Sequence, residues 1–114
     1  MAFTITNSTI SGNQSDSDGG GVYATGSLLL LNVTVANNTS NHDLTFGGAG
    51  GGIYIENGAT VTMRNSVLAD NTEGGIGSHD DCDGTIASDG FNLVQKGNGC
   101  TLTGGGGQFN VDAK

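Results

Sequence analysis

The sequence predicts an all-β solenoid of about three to four coils with essentially no α-helix. Three observations predict it. The first is a repeat. Asn7-Ser8-Thr9-Ile10-Ser11-Gly12-Asn13 returns as Asn32-Val33-Thr34-Val35-Ala36-Asn37-Asn38 and again as Asn65-Ser66-Val67-Leu68-Ala69-Asp70-Asn71, its starts 25 and then 33 residues apart. Self-similarity at such a period marks a chain whose repeats bury their apolar faces by stacking on one another. The second is alternation ahead of the motif, as in Phe3-Thr4-Ile5-Thr6 and Val61-Thr62-Met63-Arg64, the period of a half-buried strand. The third is composition. Leu, Ile, Val and Phe make up only 25 of 114 residues, Gly makes up 22, and Pro is absent. So little apolar material suits a thin core with one apolar row per coil, and no segment carries helical periodicity with caps.

The coils are expected over residues 3–27, 28–59 and 60–76. Aligned on the first Asn of each motif, Phe3, Leu28 and Val61 match, as do Ile5, Leu30 and Met63, and Ile10, Val35 and Leu68. The last two sets, Ile5, Leu30 and Met63 with Ile10, Val35 and Leu68, are the expected stacked core. In Leu28-Leu29-Leu30-Leu31, Leu29 and Leu31 fall on the outer face, where they offer a contact surface. The Asn after each strand suits a bend, because Asn tolerates the left-handed region better than other non-Gly residues. Matching registers predict two coil-to-coil ladders of amide side chains, Asn7/Asn32/Asn65 and Asn13/Asn38/Asn71.

A second element follows each motif: Gly19-Gly20-Gly21-Val22-Tyr23, Gly50-Gly51-Gly52-Ile53-Tyr54 and a shorter Gly74-Gly75-Ile76. Glycines allow tight turns or close approach of neighbouring coils, and the apolar pair starts another strand. Tyr23 and Tyr54 are expected to stack on one face. Ala24-Thr25-Gly26-Ser27 and Glu56-Asn57-Gly58-Ala59 turn the chain into the next coil. Between motif and Gly run the length varies, and the longer segment, residues 39–49, carries His42, Asp43 and Phe46; such insertions protrude from one side of a solenoid.

Cys82 and Cys100 enclose 17 residues. A disulfide between them would contribute about 3 kcal/mol by loop closure and imply an oxidising compartment; the alternative is two unrelated core thiols. Phe91-Asn92-Leu93-Val94 reads as one more strand. The chain therefore divides into coils over residues 1–76, a disulfide-closed terminal coil or cap over 77–103, and a Gly-rich tail over 104–114. In that tail Phe109 and Val111 alternate and could add a strand to a neighbour.

Strands joined through [apolar]-x-x-Asn and Gly-Gly-Gly-[Val/Ile]-Tyr resemble a right-handed parallel β-helix. The wording is similar to the repeats of polymorphic outer-membrane proteins and related bacterial surface proteins, although Ile10, Val35 and Leu68 stand where those repeats have Phe. The ending, Asp81-Cys82-Asp83-Gly84, then Ser88-Asp89-Gly90-Phe91-Asn92-Leu93-Val94, then Gly99-Cys100, resembles the end of the β-helix in secreted bacterial proteins of the choice-of-anchor type. There the two Cys close a terminal coil. The resemblance implies an architecture and surface anchoring, and no reaction.

Net charge is -8, from 3 basic and 11 acidic residues. This disfavours nucleic acid and anionic lipid as partners. No signal peptide or transmembrane run is present, so a secreted location, extracellular or at the cell surface, makes the given chain a mature form or an excised segment.

Candidate chemistry is sparse. Asp16 and Asp18, and Asp80, Asp81 and Asp83, could bind Ca²⁺ through carboxylate and carbonyl oxygens, but neither group follows the spacing of calcium-binding solenoids or EF-hands. No other cofactor is expected. His42-Asp43 and His79-Asp80 repeat a dipeptide and could share a metal if their loops converged. The carboxylates lie at unmatched coil positions, unlike the facing pair that glycoside hydrolysis needs. Arg64, with Lys96 and Lys114 the only cations, reads as a solvated strand residue or a partner of Glu56. Rows of Thr (Thr4, Thr6, Thr9, Thr34, Thr60, Thr62) lack the regularity of an ice-binding face. Sequons at Asn7, Asn13, Asn32, Asn37 and Asn38 read as incidental to the Asn rows.

Residues 3–10 already have full repeat character with no preceding cap, so one edge of the stack is expected bare. Either the chain is the end of a longer β-helix, or that edge pairs with another copy. The expected function is a non-catalytic extracellular module for surface display, adhesion or head-to-tail self-assembly into fibres, with copies of itself as partner. The rival is a carbohydrate-active module that binds or cleaves an acidic polysaccharide.

Overall fold

The computed structural model describes residues 2–41, 48–74 and 79–109. Its strands are β1 (Ala2–Ser11), β2 (Val22–Ala24), β3 (Ser27–Ala36), β4 (Thr39–Ser40), β5 (Ile53–Ile55), β6 (Thr60–Arg64), β7 (Val67–Ala69), β8 (Thr72–Glu73), β9 (Cys82–Val94) and β10 (Cys100–Phe109). All pairings are parallel. Among the described residues there is no helix, and none that could cross a membrane.

Each strand lies on its equivalent from the preceding repeat. On the long face β1 pairs β3, β3 pairs β6 and β7, these pair β9, and β9 pairs β10. A second face stacks β2, β5 and the start of β9. A third stacks Gln14, β4 and β8. The body measures 36 × 34 × 22 Å.

The register aligns equivalent backbone positions in columns. Phe3 pairs Leu28, Leu28 pairs Val61, Val61 pairs Ile86 and Ile86 pairs Leu102. Ile5, Leu30, Met63, Ser88 and Gly104 form the next column, and Ile10, Val35, Leu68, Val94 and Phe109 another. Leu30, Val35, Met63, Leu68 and Ile86 are fully buried in one core, each worth roughly 1.5–3 kcal/mol over its exposed state. The first rung has a neighbour on one side only. Phe3 is accordingly 64% exposed, and Ile5 and Ile10 are half-buried. Leu29 and Leu31 lie half-buried on the outer side.

Two departures from expectation concern the C-terminal half. The third member of the Gly-run column is Cys82-Asp83, paired with Ile53-Tyr54, and the glycines of Gly50-Gly51-Gly52 find His79 and Asp80 opposite them. That position belongs to this segment rather than to Gly74-Gly75-Ile76, of which Gly75 and Ile76 lie outside the described residues. The repeat length misled because the side chain at Asp81 occupies a slot that is Gly in the earlier rungs. Residues 104–109, expected as part of a tail, are the second half of β10, on β9. Their glycines have a local cause: Gly104 and Gly106 hold φ of +85° and +78°, and a Cβ at Gly106 would meet the Gly90 carbonyl at 2.6 Å. Val111, expected to alternate with Phe109, lies outside the described residues.

Candidate functional site

Asn7, Asn32 and Asn65 hold φ of +48°, +56° and +50°, each turning its strand around one corner of the coil. They are exposed, and Asn32 Nδ2 donates to Asn7 Oδ1 at 3.0 Å. A second left-handed corner falls one residue before the other Asn of each motif, at Gly12, Asn37 and Asp70, with φ of +72°, +58° and +56°. Sequence reading assigned no role to these three. Their small or Asx side chains, the residues that tolerate this backbone, were the available signal.

That second corner turns the following Asn inward. Asn38 and Asn71 are fully buried. Asn38 Oδ1 accepts from the backbone N–H and Nδ2 of Asn13, both at 3.0 Å. Asn71 Oδ1 accepts the same two groups of Asn38, again at 3.0 Å. Each buried amide also donates to the carbonyl of a strand in the preceding repeat, Asn38 to Ile10 and Asn71 to Val35, at 2.9 Å. The glycine runs make room: a Cβ on Gly21 would stand 3.0 Å from Asn38 Cγ, and one on Gly52 2.9 Å from Asn71 Cγ.

Asp81 continues this row. It is fully buried, and its Oδ1 accepts from the backbone N–H and Nδ2 of Asn71 at 3.2 and 2.9 Å. Its Oδ2 accepts from the Lys96 backbone N–H at 2.6 Å. Burial pushes the Asp81 carboxyl above the usual carboxylate range, against the pull of these donors. Sequence reading placed Asp81 with possible Ca²⁺ ligands; in the fold both of its oxygens hold backbone and amide donors.

The other acidic residues are dispersed. Asp18 Oδ1 accepts from the Ala49 N–H at 2.8 Å, and Asp16 is exposed. Asp80 accepts from the Glu73 N–H and lies 3.3 Å from Lys96 Nζ. Asp83 bonds His79 Nδ1. Among the described residues no three His, Cys, Asp or Glu side chains gather as a metal would require. His42 and Asp43 lie outside the described residues, as does Phe46. Arg64 does not pair with Glu56: its guanidinium bonds Asp89 through Nη2 at 2.9 Å and the Asp89 carbonyl through Nε at 3.0 Å. Asp89 sits in the next rung beside Arg64, where strand register brings it closer. Glu56 instead accepts from the Tyr23 hydroxyl at 3.2 Å. Tyr23 and Tyr54 pair in register with ring centroids 5.1 Å apart. Burial and then the Glu56 charge raise the Tyr23 pKa, and the Asp18 charge chiefly raises that of Tyr54.

Cys82 and Cys100 form a disulfide with Cα atoms 5.4 Å apart. It ties the starts of β9 and β10, the last two rungs. At the opposite end, the rim of the first rung encloses a mostly apolar hollow of about 320 Å³ lined by Phe3, Ile5, Val22, Tyr23 and Leu28 among others.

Comparison with known proteins gives one match. The family described as "right handed beta helix region" fits residues 1–113. No curated protein and no solved structure matches the chain.

Proposed function

The chain belongs to the right-handed beta helix family, and from that membership we propose that it is a non-catalytic extracellular module, a solenoid of about three to four coils serving surface display, adhesion or self-assembly through its ends. One observation carries the reading. Most of the described groups that could perform chemistry are engaged in holding the fold: Asp81 ends the buried Asn row and Arg64 bonds Asp89 of the next rung, while Asp80 and Asp83 hold Lys96 and His79. A lyase or hydrolase needs carboxylates, or a carboxylate and a base, converging on open space. The Cys82–Cys100 bond supports an oxidising, extracytoplasmic setting. The Cys-framed ending supports kinship with surface-anchored proteins of the choice-of-anchor type, and the repeats with polymorphic outer-membrane proteins.

The test is incubation with polygalacturonate and related acidic polysaccharides, with and without Ca²⁺. The expected result is no unsaturated product, no new reducing ends and no retention on the immobilised polymer. Cleavage or Ca²⁺-dependent retention would overturn the reading in favour of a carbohydrate-active module.

A further inference from the structure

We propose that copies of this chain stack head to tail, β10 of one copy lying parallel on β1 of the next with Leu102 opposite Phe3 and Gly106 opposite Asn7. This rests on the reading that the module works through its ends, and it fixes which strands meet and in what register.

Spacing is the first argument. The column positions Phe3 and Ile10 are seven residues apart, as are their partners Leu28 and Val35, and Val61 and Leu68. In β9 the equivalents Ile86 and Val94 are eight apart. β10 absorbs the extra residue with a register shift between Gly105 and Gly107, so Leu102 and Phe109 are again seven apart. The spacing of β10 from Leu102 to Phe109 therefore matches that of β1 from Phe3 to Ile10. A β1 strand laid on β10 needs no bulge from Phe3 to Ile10.

The corner is the second argument. Asn7 turns β1 four residues after Phe3 with φ +48°, and Gly106 turns β10 four residues after Leu102 with φ +78°. Both are left-handed, so the two strands share this corner; β10 has a further left-handed residue, Gly104 at φ +85°, opposite Ile5.

Charge is the third. None of the 3 basic and 11 acidic residues falls within β1 or β10. Exposed edges that must stay single carry charges, Pro or bulges that twist the edge away; these two carry no charge and no Pro, and the one bulge, between Gly105 and Gly107 of β10, restores the seven-residue spacing of β1. Among the described residues the charges lie instead in the body between them, where an excess of acidic groups opposes side-by-side contact. Size agrees as well: the half-buried Ile5 would meet Gly104, and the exposed Phe3 would meet Leu102. Such a contact is heterologous and does not close, so it propagates as a filament. Five strand levels at about 4.8 Å give an axial repeat of about 24 Å.

The test is a Thr4→Cys/Thr103→Cys double variant. In the proposed register these exposed positions are opposite each other, within the Cα separation a disulfide spans. Inside one copy they lie four strand spacings apart, about 19 Å, so a bond between them forms only between copies. The expected result is a ladder of dimers, trimers and higher species on a non-reducing gel that collapses with reductant. The off-register pair Thr6→Cys/Thr103→Cys should give at least tenfold less. Adding Phe3→Lys should remove the ladder, and adding Phe91→Lys, on the flank at 82% exposure, should leave it. If Phe3→Lys does not fold, Gly105→Lys replaces it, because a Cβ there meets nothing within 4 Å. Absence of the ladder, equal yield from the off-register pair, or loss with Phe91→Lys alone would overturn the stacking. Polysaccharide cleavage would instead overturn the reading beneath it, and the two failures are read by separate assays.

Discussion

Asp81 has the most consequential side chain in the chain. It stands just before β9 in a position that is Gly in the two preceding repeats, and its carboxyl takes the place another Asn would hold in the row. Its folded pKa is raised by burial, so between the unfolded value, near 3.9, and the raised folded one the native state binds more protons than the unfolded chain. The sign follows from linkage: this stabilising contribution is fully present below the unfolded pKa and is lost as pH rises through the folded one. Urea unfolding of the native chain and of Asp81→Asn between pH 7 and pH 4 checks it. The native chain should gain stability relative to the variant as pH falls. Parallel profiles would show that Asp81 is not the group responsible.

At the scale of the element, the Gly run and the inward Asn are one device. The side chain that a strand residue would place at Gly52 is missing so that Asn71 can enter the core. Gly52→Ala should therefore lower unfolding free energy by about 2 kcal/mol, the usual cost of overpacking, while Ala at the open position Gly105 should change it little. Thermal unfolding of both variants compares them. Much of this was readable beforehand. The column residues Ile5, Leu30 and Met63, and Ile10, Val35 and Leu68, are where the repeat alignment put them, because an apolar period and a corner Asn are both local signals. The link between Gly52 and Asn71 was not readable, because it joins residues of different strands across the core. Asp81 was misread for the same reason: a carboxylate beside other carboxylates looks like a cation site until the fold supplies the Asn71 and Lys96 donors. The strand nature of residues 104–109 escaped because Gly carries no pattern; only the partner strand β9 gives those residues a register.

For the whole molecule, the disulfide matters by where it sits. It joins the last two rungs, and among the described residues β10 pairs with β9 alone. Reduction should cost about 3 kcal/mol by the loop-closure estimate. It should also release β10 before the rest, so that amide exchange rises first over residues 100–109 while Leu30 and Val35 stay protected. Uniform loss of protection along the chain would contradict this order.

The buried amide row has an electrical consequence. In Asn38 and Asn71 the oxygen accepts from the preceding repeat while the nitrogen donates onward, ending at the carboxylate of Asp81. Dipoles aligned in one sense add, as peptide units do along a helix, and the Asp81 carboxyl sits at the positive end of the row. The body thus has a fixed polarity along its axis, and its two extremities are not interchangeable. Bodies that follow one another in the same direction keep every amide dipole of the row in line.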